Sequence, residues 1–353
     1  MVRWSLAVLG CLTTGAGQPS PGKALILHDW FGESPVATPH FLRAHRERLE
    51  RLPVDGLALY VRTPDLEIDV SGTVFSAREV DAGRMAKALE PLRGMAGRRL
   101  RRNFAGVVGG DPPDFFEDWS AVVGNVRRLA RAARDHGLEG IYFDNESYGR
   151  PWGDFPDGVK QPGRGLAAYR DQARRRGREI MAAATAEYPS ITVLLLHGPY
   201  VSEPRAPEPL FPAWHAANEL AGPFFAGFVE GAGPRATVVD GGELYHLREA
   251  DDFRRSLRWR KHDIVGGAVD SASVPPALRA AWPSRVSIGF GVYDRPFGGR
   301  TMDPEILEKT LRAALAHADR YVWLYVEGPT FLSPPEQGGA TSAWVDAVRK
   351  ARP

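Results

Sequence analysis

Asp144 and Glu146 close an apolar run, Gly140-Ile141-Tyr142-Phe143, that follows an arginine-rich amphipathic stretch. The run predicts a short β-strand, and side chains two apart on a strand share a side, with Cα atoms roughly 6.6 Å apart at ~3.3 Å per residue. Two acids are thereby aimed into one space. Like charges in a partly dehydrated mouth raise the pKa of one of them, and a carboxylic acid still protonated near neutrality is what general-acid chemistry requires. A purely structural use is open to both: Asp144 capping the next loop, Glu146 pairing with one of many arginines.

The elements that must position this pair form a repeating pattern. Apolar strands are predicted at 23–30, 54–62, 103–107, 139–144, 191–197, 236–240, 285–290 and 321–326. Helical periodicity marks 39–52, 76–92, 119–136, 165–188, 211–231, 250–262, 304–317 and 341–349. Near-continuous apolar strands are buried on both faces, which implies a parallel sheet covered by helices. Strand and helix alternating eight times is the count of a single-domain (β/α)8 TIM barrel, here residues 23–353. Nearly every predicted strand ends in side chains capable of chemistry: His28, Asp29 and Trp30; Tyr60 and Arg62; Asp144 and Glu146; His197; Asp240 and Glu243; Tyr293 and Asp294; Tyr325 and Glu327. In a barrel those ends converge on one face, where active sites sit.

Of 353 residues, 45 are Lys or Arg and 43 Asp or Glu, so the formal charge of +2 gives no basic face for a nucleic acid. Cys11 is the single cysteine, which excludes an intrachain disulfide. Residues 1–22 hold a short apolar run and then a Pro/Gly/Ser linker, the pattern of an export leader. Val8-Leu9-Gly10-Cys11 also resembles a loose bacterial lipobox, with Cys11 as a lipid anchor. The expected location is exported, whether periplasmic, secreted or lipid-anchored, with the cytoplasm as alternative. No stretch reaches the ~18 apolar residues of a spanning helix. His28, His197 and His246 are scattered, with no His-x-His or His-Glu-x-x-His pair, so no metal is expected. A Gly-x-Ser-x-Gly elbow and a phosphate-binding glycine loop are absent, and no cofactor is expected.

Several carboxylates beside Tyr148, Trp152, Tyr245, Tyr293 and Trp323 suit a carbohydrate, whose ring faces stack on aromatics while acids bond its hydroxyls. Trp323, inside an apolar strand, is expected as core or pocket floor. Gly140-Ile141-Tyr142-Phe143-Asp144-Asn145-Glu146 resembles the strand-four signature of family 18 chitinase-like glycoside hydrolases, which ends in Asp-x-Glu on a barrel of this class. That resemblance implies Glu146 as proton donor and Asp144 as the residue positioning an N-acetyl group. Glu139 and Tyr142 stand where that family has further aspartates. Asn145-Glu146 is also similar to the Asn-Glu acid/base pair of the large retaining-glycosidase clan, whose strand-seven nucleophile has only Tyr293-Asp294 as counterpart here.

The expectation is therefore a glycoside hydrolase, with a non-catalytic carbohydrate-binding barrel as the alternative. Glu146 is expected to carry the proton, with Asp144 keeping its pKa raised or orienting substrate. The partner carboxylate is sought first at Glu243, which Gly241-Gly242 lets the backbone turn and present, then at Glu327 and Asp240. His28, Asp29, Trp30, Tyr60, Arg62, Tyr148, His197, Asp240, Tyr245, Tyr293, Asp294 and Tyr325 are expected to bind substrate.

Overall fold

The computed structural model describes residues 22–29, 35–65, 67–95, 97–211, 218–267, 271–295, 300–327 and 330–352. The predicted leader, Cys11 and Trp30 lie outside them. Ala24–His28 (β1) is buried at every position, as a strand covered on both faces must be. Gly56–Leu59 (β2), Phe104–Val108 (β3), Gly140–Asp144 (β4), Thr192–Leu195 (β5), Thr237–Asp240 (β6), Val286–Ile288 (β7), Phe290–Tyr293 (β8) and Tyr321–Tyr325 (β9) follow. All the strand pairings are parallel, in the order β7-β6-β5-β4-β3-β2-β1-β9-β8.

The ends of that order are two halves of one strand, broken at Gly289. β7 pairs with β6 through Val238↔Val286, and β8 pairs with β9 through Phe290↔Val322. Nine segments, two of them halves of one strand, make eight staves of a closed (β/α)8 barrel. The strand expected at 285–290 thus runs on to Tyr293. Gly291, which reads as a strand breaker, sits where an added Cβ would lie 2.5 Å from the Trp323 indole, so its bare backbone makes room for that ring.

Helices cover the outside at Pro39–Ala44, Arg46–Leu49, Ala82–Leu89, Ser120–Asp135, Leu166–Glu187, Ala221–Gly231, Ala250–Lys261, Pro304–His317 and Ser342–Ala351. The helix expected from residue 76 starts later because Asp81 is its N-cap, accepting from Arg84 N. The stretch expected as helix from residue 211 is helical from Ala221. No helix among the described residues is long and apolar enough to cross a membrane.

Alternation along each strand divides the interior in two. Ala24, Ile26, Ala58, Phe104, Tyr142, Leu194, Val239, Tyr321 and Trp323 fill the barrel, while their neighbours pack under the helices. Trp323 is fully buried core of the barrel interior, its indole N–H donating to Gly241 O at 2.9 Å. Glu139 and Tyr142, which depart from the chitinase-like signature, serve this interior. Glu139 accepts from Tyr321 at 2.5 Å and pairs with Arg102 at 3.1 Å at the strand-start end, and the Tyr142 hydroxyl meets His28 Nδ1 at 2.8 Å.

Alternation also corrects one expected site residue. Val239 faces the barrel, so Asp240, the next residue, faces the helices instead of the mouth. There it pairs with Arg260 at 2.8 Å with both side chains 1% exposed, and Arg260 also donates to Gly289 O at the strand break. Asp240→Ala would strand a buried guanidinium, and we expect a loss of about 3–5 kcal/mol in urea unfolding.

Candidate active site

Asp144 is the last residue of β4 and shares the inward parity of Tyr142. Its Oδ1 accepts the Glu146 backbone N–H at 3.2 Å, a local turn that brings Glu146 over the mouth. The Tyr148 hydroxyl lies 2.8 Å from Asp144 Oδ2 and 2.6 Å from Glu146 Oε2. One hydroxyl hydrogen serves only one of these contacts, so the other needs a carboxyl proton.

Asn145, on the opposite parity, reaches the neighbouring strand. Its Oδ1 accepts from His197 N at 2.8 Å and its Nδ2 donates to His197 O at 3.0 Å. So tethered, His197 sets Nδ1 against the Tyr200 hydroxyl at 3.1 Å, and Nε2 at 3.1 Å from Glu146 Oε1 and 3.5 Å from Glu243 Oε2. Glu243 arrives through the expected glycine turn. Gly242 has φ +62°, and a Cβ there would lie 2.3 Å from the Arg260 guanidinium.

Burial acts on every acid here, and the neighbours decide the outcome. It pushes Asp144 up to about 7, aided by the charge of Glu146. It pushes Glu243 up to about 8 against the opposing pull of His197. Burial would also raise Glu146, but the hydrogen bond and charge of His197, with Tyr148 added, hold it down at about 2. Burial disfavours charge on His197, yet Glu243 and Glu146 raise it to about 9. Near neutrality the mouth thus holds an ionised Glu146, a protonated His197 and a protonated Glu243. The sequence put the proton on Glu146. The difference comes from His197, whose ring lies closer to Glu146 than to Glu243.

A wall of tyrosines adjoins the pair. Tyr293 and Tyr325 face each other in register, their rings stacked at 4.9 Å. Tyr245 packs 4.9 Å from Tyr293 and 5.7 Å from Trp323. Glu327 accepts the hydroxyls of Tyr293 and of Tyr325, the latter at 2.5 Å. His28 lies beneath, 5.0 Å from the Tyr325 ring, and burial lowers its pKa to about 3. On the β2 side Tyr60 donates to Asp69 at 3.3 Å, with the Arg62 guanidinium 5.1 Å from its ring centroid.

Asp144, Glu146, His197, Glu243 and Tyr148 therefore come together, with Tyr245, Tyr293, Tyr325, Glu327 and His28 alongside. Asp29 and Asp294 do not join them. Like Asp240, each follows an inward residue by one and so turns outward, where it ties a loop. Asp29 accepts from Thr330 Oγ1 at 2.5 Å and is pushed by burial up to about 7, while Asp294 accepts from Glu327 N at 3.0 Å. Trp152 packs on Phe75 and Phe224 in the outer core and not at the mouth. The Asn145 tether to His197, and Tyr200, were not anticipated. Asn145 carried a signal, an amide between two acids on the parity that meets the adjacent strand; Tyr200 carried none.

The sequence offered no local metal-ligand pair, and it did not anticipate one set of donors. Glu146, His197 and Glu243 offer donor atoms within 4.8 Å of one another, a set able to hold a divalent cation. Local spacing could not reveal it, because the donors follow three different strands. As the groups stand, the protonated ring occupies that position, and a cation would have to displace its proton.

Fold and mouth together define a (β/α)8 barrel with a half-buried carboxylate pair bridged by histidine. No family model and no curated protein matches the chain. Among solved structures, an exo-β-1,4-mannosidase from Opitutaceae bacterium strain TAV5 is similar, with 14% identity, TM-score 0.47 and coverage of 93% of this chain and 59% of that one. This chain thus spans less than two thirds of the mannosidase. A D-allulose 3-epimerase from Methylomonas sp. shares 11% identity at TM-score 0.44, covering 95% and 97% of the two chains. A β-mannanase from the blue mussel Mytilus edulis shares 12% at 0.42, covering 89% and 84%. Likenesses this distant say nothing of what the present chain acts on.

His197→Gln removes the positive charge that opposes burial at Glu146. Carboxyl-carbon NMR titration should then find the Glu146 pKa displaced upward from about 2 to above the ordinary value of 4.5.

Proposed function

We propose that this chain is a glycoside hydrolase that cleaves an oligo- or polysaccharide at the C-terminal mouth of the barrel. The observation that carries the reading is the Glu146–Glu243 pair, with one oxygen of each within 4.8 Å of the other and opposite protonation states. Paired carboxyls about 5–5.5 Å apart act with retention, whereas about 6.5–9.5 Å leaves room for the water of an inverting enzyme. The close spacing supports retention, with Glu146 as nucleophile and Glu243 as acid and then base. The reading thus keeps Glu146 at the centre but moves the proton to Glu243.

The steps follow from the contacts. Glu243 Oε2, 3.5 Å from His197 Nε2, has no hydrogen-bond partner within the described residues, so the proton of Glu243 is free to pass to a leaving glycosidic oxygen. Glu146, oriented by His197 and Tyr148, attacks the anomeric carbon as that bond breaks. Water then enters, Glu243 takes its proton, and the ester to Glu146 is released. The tyrosine wall supplies faces for the sugar ring, with Trp323 beneath. The leader reading joins this proposal: a mature chain starting at Cys11, or near Gln18 without lipid, would place the enzyme where polysaccharide is met.

Glu146→Gln and Glu243→Gln should each lower kcat by roughly 10²–10⁴-fold while sugar binding survives. A carbohydrate-binding barrel without chemistry would show no turnover to lose on a panel of aryl glycosides and polysaccharides. Activity should persist above the Glu146 pKa of about 2, where that carboxylate is ionised, and fall as pH rises through about 8, where Glu243 loses its proton. Proton NMR of the first-formed product should show the anomer of the substrate, and a chelator should leave the rate unchanged. A rate restored only by a divalent cation would favour metal-assisted chemistry at the same three residues.

A further inference from the structure

Glu327 is a carboxylate of the mouth that the proposed reaction leaves unused. It is half-buried just beyond β9, and Tyr293 and Tyr325 both donate their hydroxyls to it. Two phenol donors hold the group as an acceptor and leave lone pairs for a third donor. No lysine, arginine or histidine forms an ion pair with Glu327 among the described residues. Its own backbone N–H goes to Asp294, another carboxylate. In the same mouth His197 is already paired with Glu146 at 3.1 Å and Glu243 is protonated, while Arg295 acts on the Tyr293 hydroxyl without an ion pair to Glu327 among the described residues.

The surroundings specify what would complete it. Tyr293 and Tyr325 stack on each other with Tyr245 against both, and all three are half-buried, which leaves ring surface open beside the carboxylate. An aromatic wall with an acid at its edge attracts a cation through the ring faces and bonds its N–H groups through the carboxylate. Uronic acids meet repulsion here. Tyr245 feels the charge of Glu243 and stacks 5.9 Å from the Tyr325 ring, so Glu327 lies one aromatic layer from the catalytic pair, within reach of a ring substituent. Asp144, the residue that would hold an N-acetyl group in a chitinase-like site, has both oxygens engaged by Glu146 N and Tyr148.

We propose that Glu327, presented by Tyr293 and Tyr325, recognises a protonated amine, and that the substrate is an amino sugar bearing a free ammonium group. The proposal takes its sugar from the hydrolase reading but does not require turnover. The test measures binding of glucosamine, galactosamine and mannosamine, each against its N-acetyl form and its parent hexose, at about pH 6 where the amine is charged. At least one amine should bind about tenfold or more tighter than both counterparts, and that advantage should shrink in about 1 M NaCl, where the screening length is about 3 Å. Ring signals of Tyr293 and Tyr325 should shift on binding. Glu327→Gln should cut the preference below about threefold without weakening the neutral sugars. If that variant does not fold, the wild-type panel, its salt response and the tyrosine shifts still decide. Equal binding of amine, N-acetyl and parent sugars overturns the proposal, as does a preference that survives Glu327→Gln. Amine binding without cleavage of any glycoside would remove the hydrolase reading and leave this one standing; cleavage without amine preference would do the reverse.

Discussion

One imidazolium holds the mouth in order. Asp144, Glu146 and Glu243 converge in a space where burial raises the cost of every charge, and three carboxylates could not all ionise there. The proton on His197 neutralises one charge and selects which acid keeps it, because its ring nitrogen lies nearer Glu146 than Glu243. Two chemically identical side chains acquire opposite roles from a few tenths of an ångström.

The barrel supports this arrangement from below. Its closing strand is broken at Gly289, and the buried Asp240–Arg260 pair binds the break to β6. The turn that carries Glu243 starts at this same point, since Gly242 packs against Arg260. Closure of the sheet and placement of the second carboxylate are thus one structural event. Removing the ion pair would loosen both, although neither of its residues faces the mouth.

Much of this was legible in the residues. Apolar runs alternating with helical periodicity led to a barrel, and Asp144-Asn145-Glu146 at the end of one run led to its mouth. Gly241-Gly242 pointed to Glu243 because only glycine takes the left-handed turn without strain. Parity past the strand ends was not read: Asp29, Asp240 and Asp294 each follow an inward position by one, and a single residue separates a mouth group from a loop tie. The protonation pattern was not legible either. It depends on the distance between His197 and Glu146, which are remote in sequence and meet only because their strands are neighbours.

The Asn145–His197 tether bears on the stiffness of the site. A side-chain carboxamide carries one acceptor and a donor in the same plane as a peptide group, and Asn145 uses both on the His197 backbone. The pair of bonds copies a rung of a β-ladder, built by a side chain after the strands themselves have ended. The sheet is in effect one step taller between β4 and β5 than its backbone, and Glu146 and His197 stand on that added step. These two side chains are therefore mounted on the framework of the barrel rather than on a loop above it.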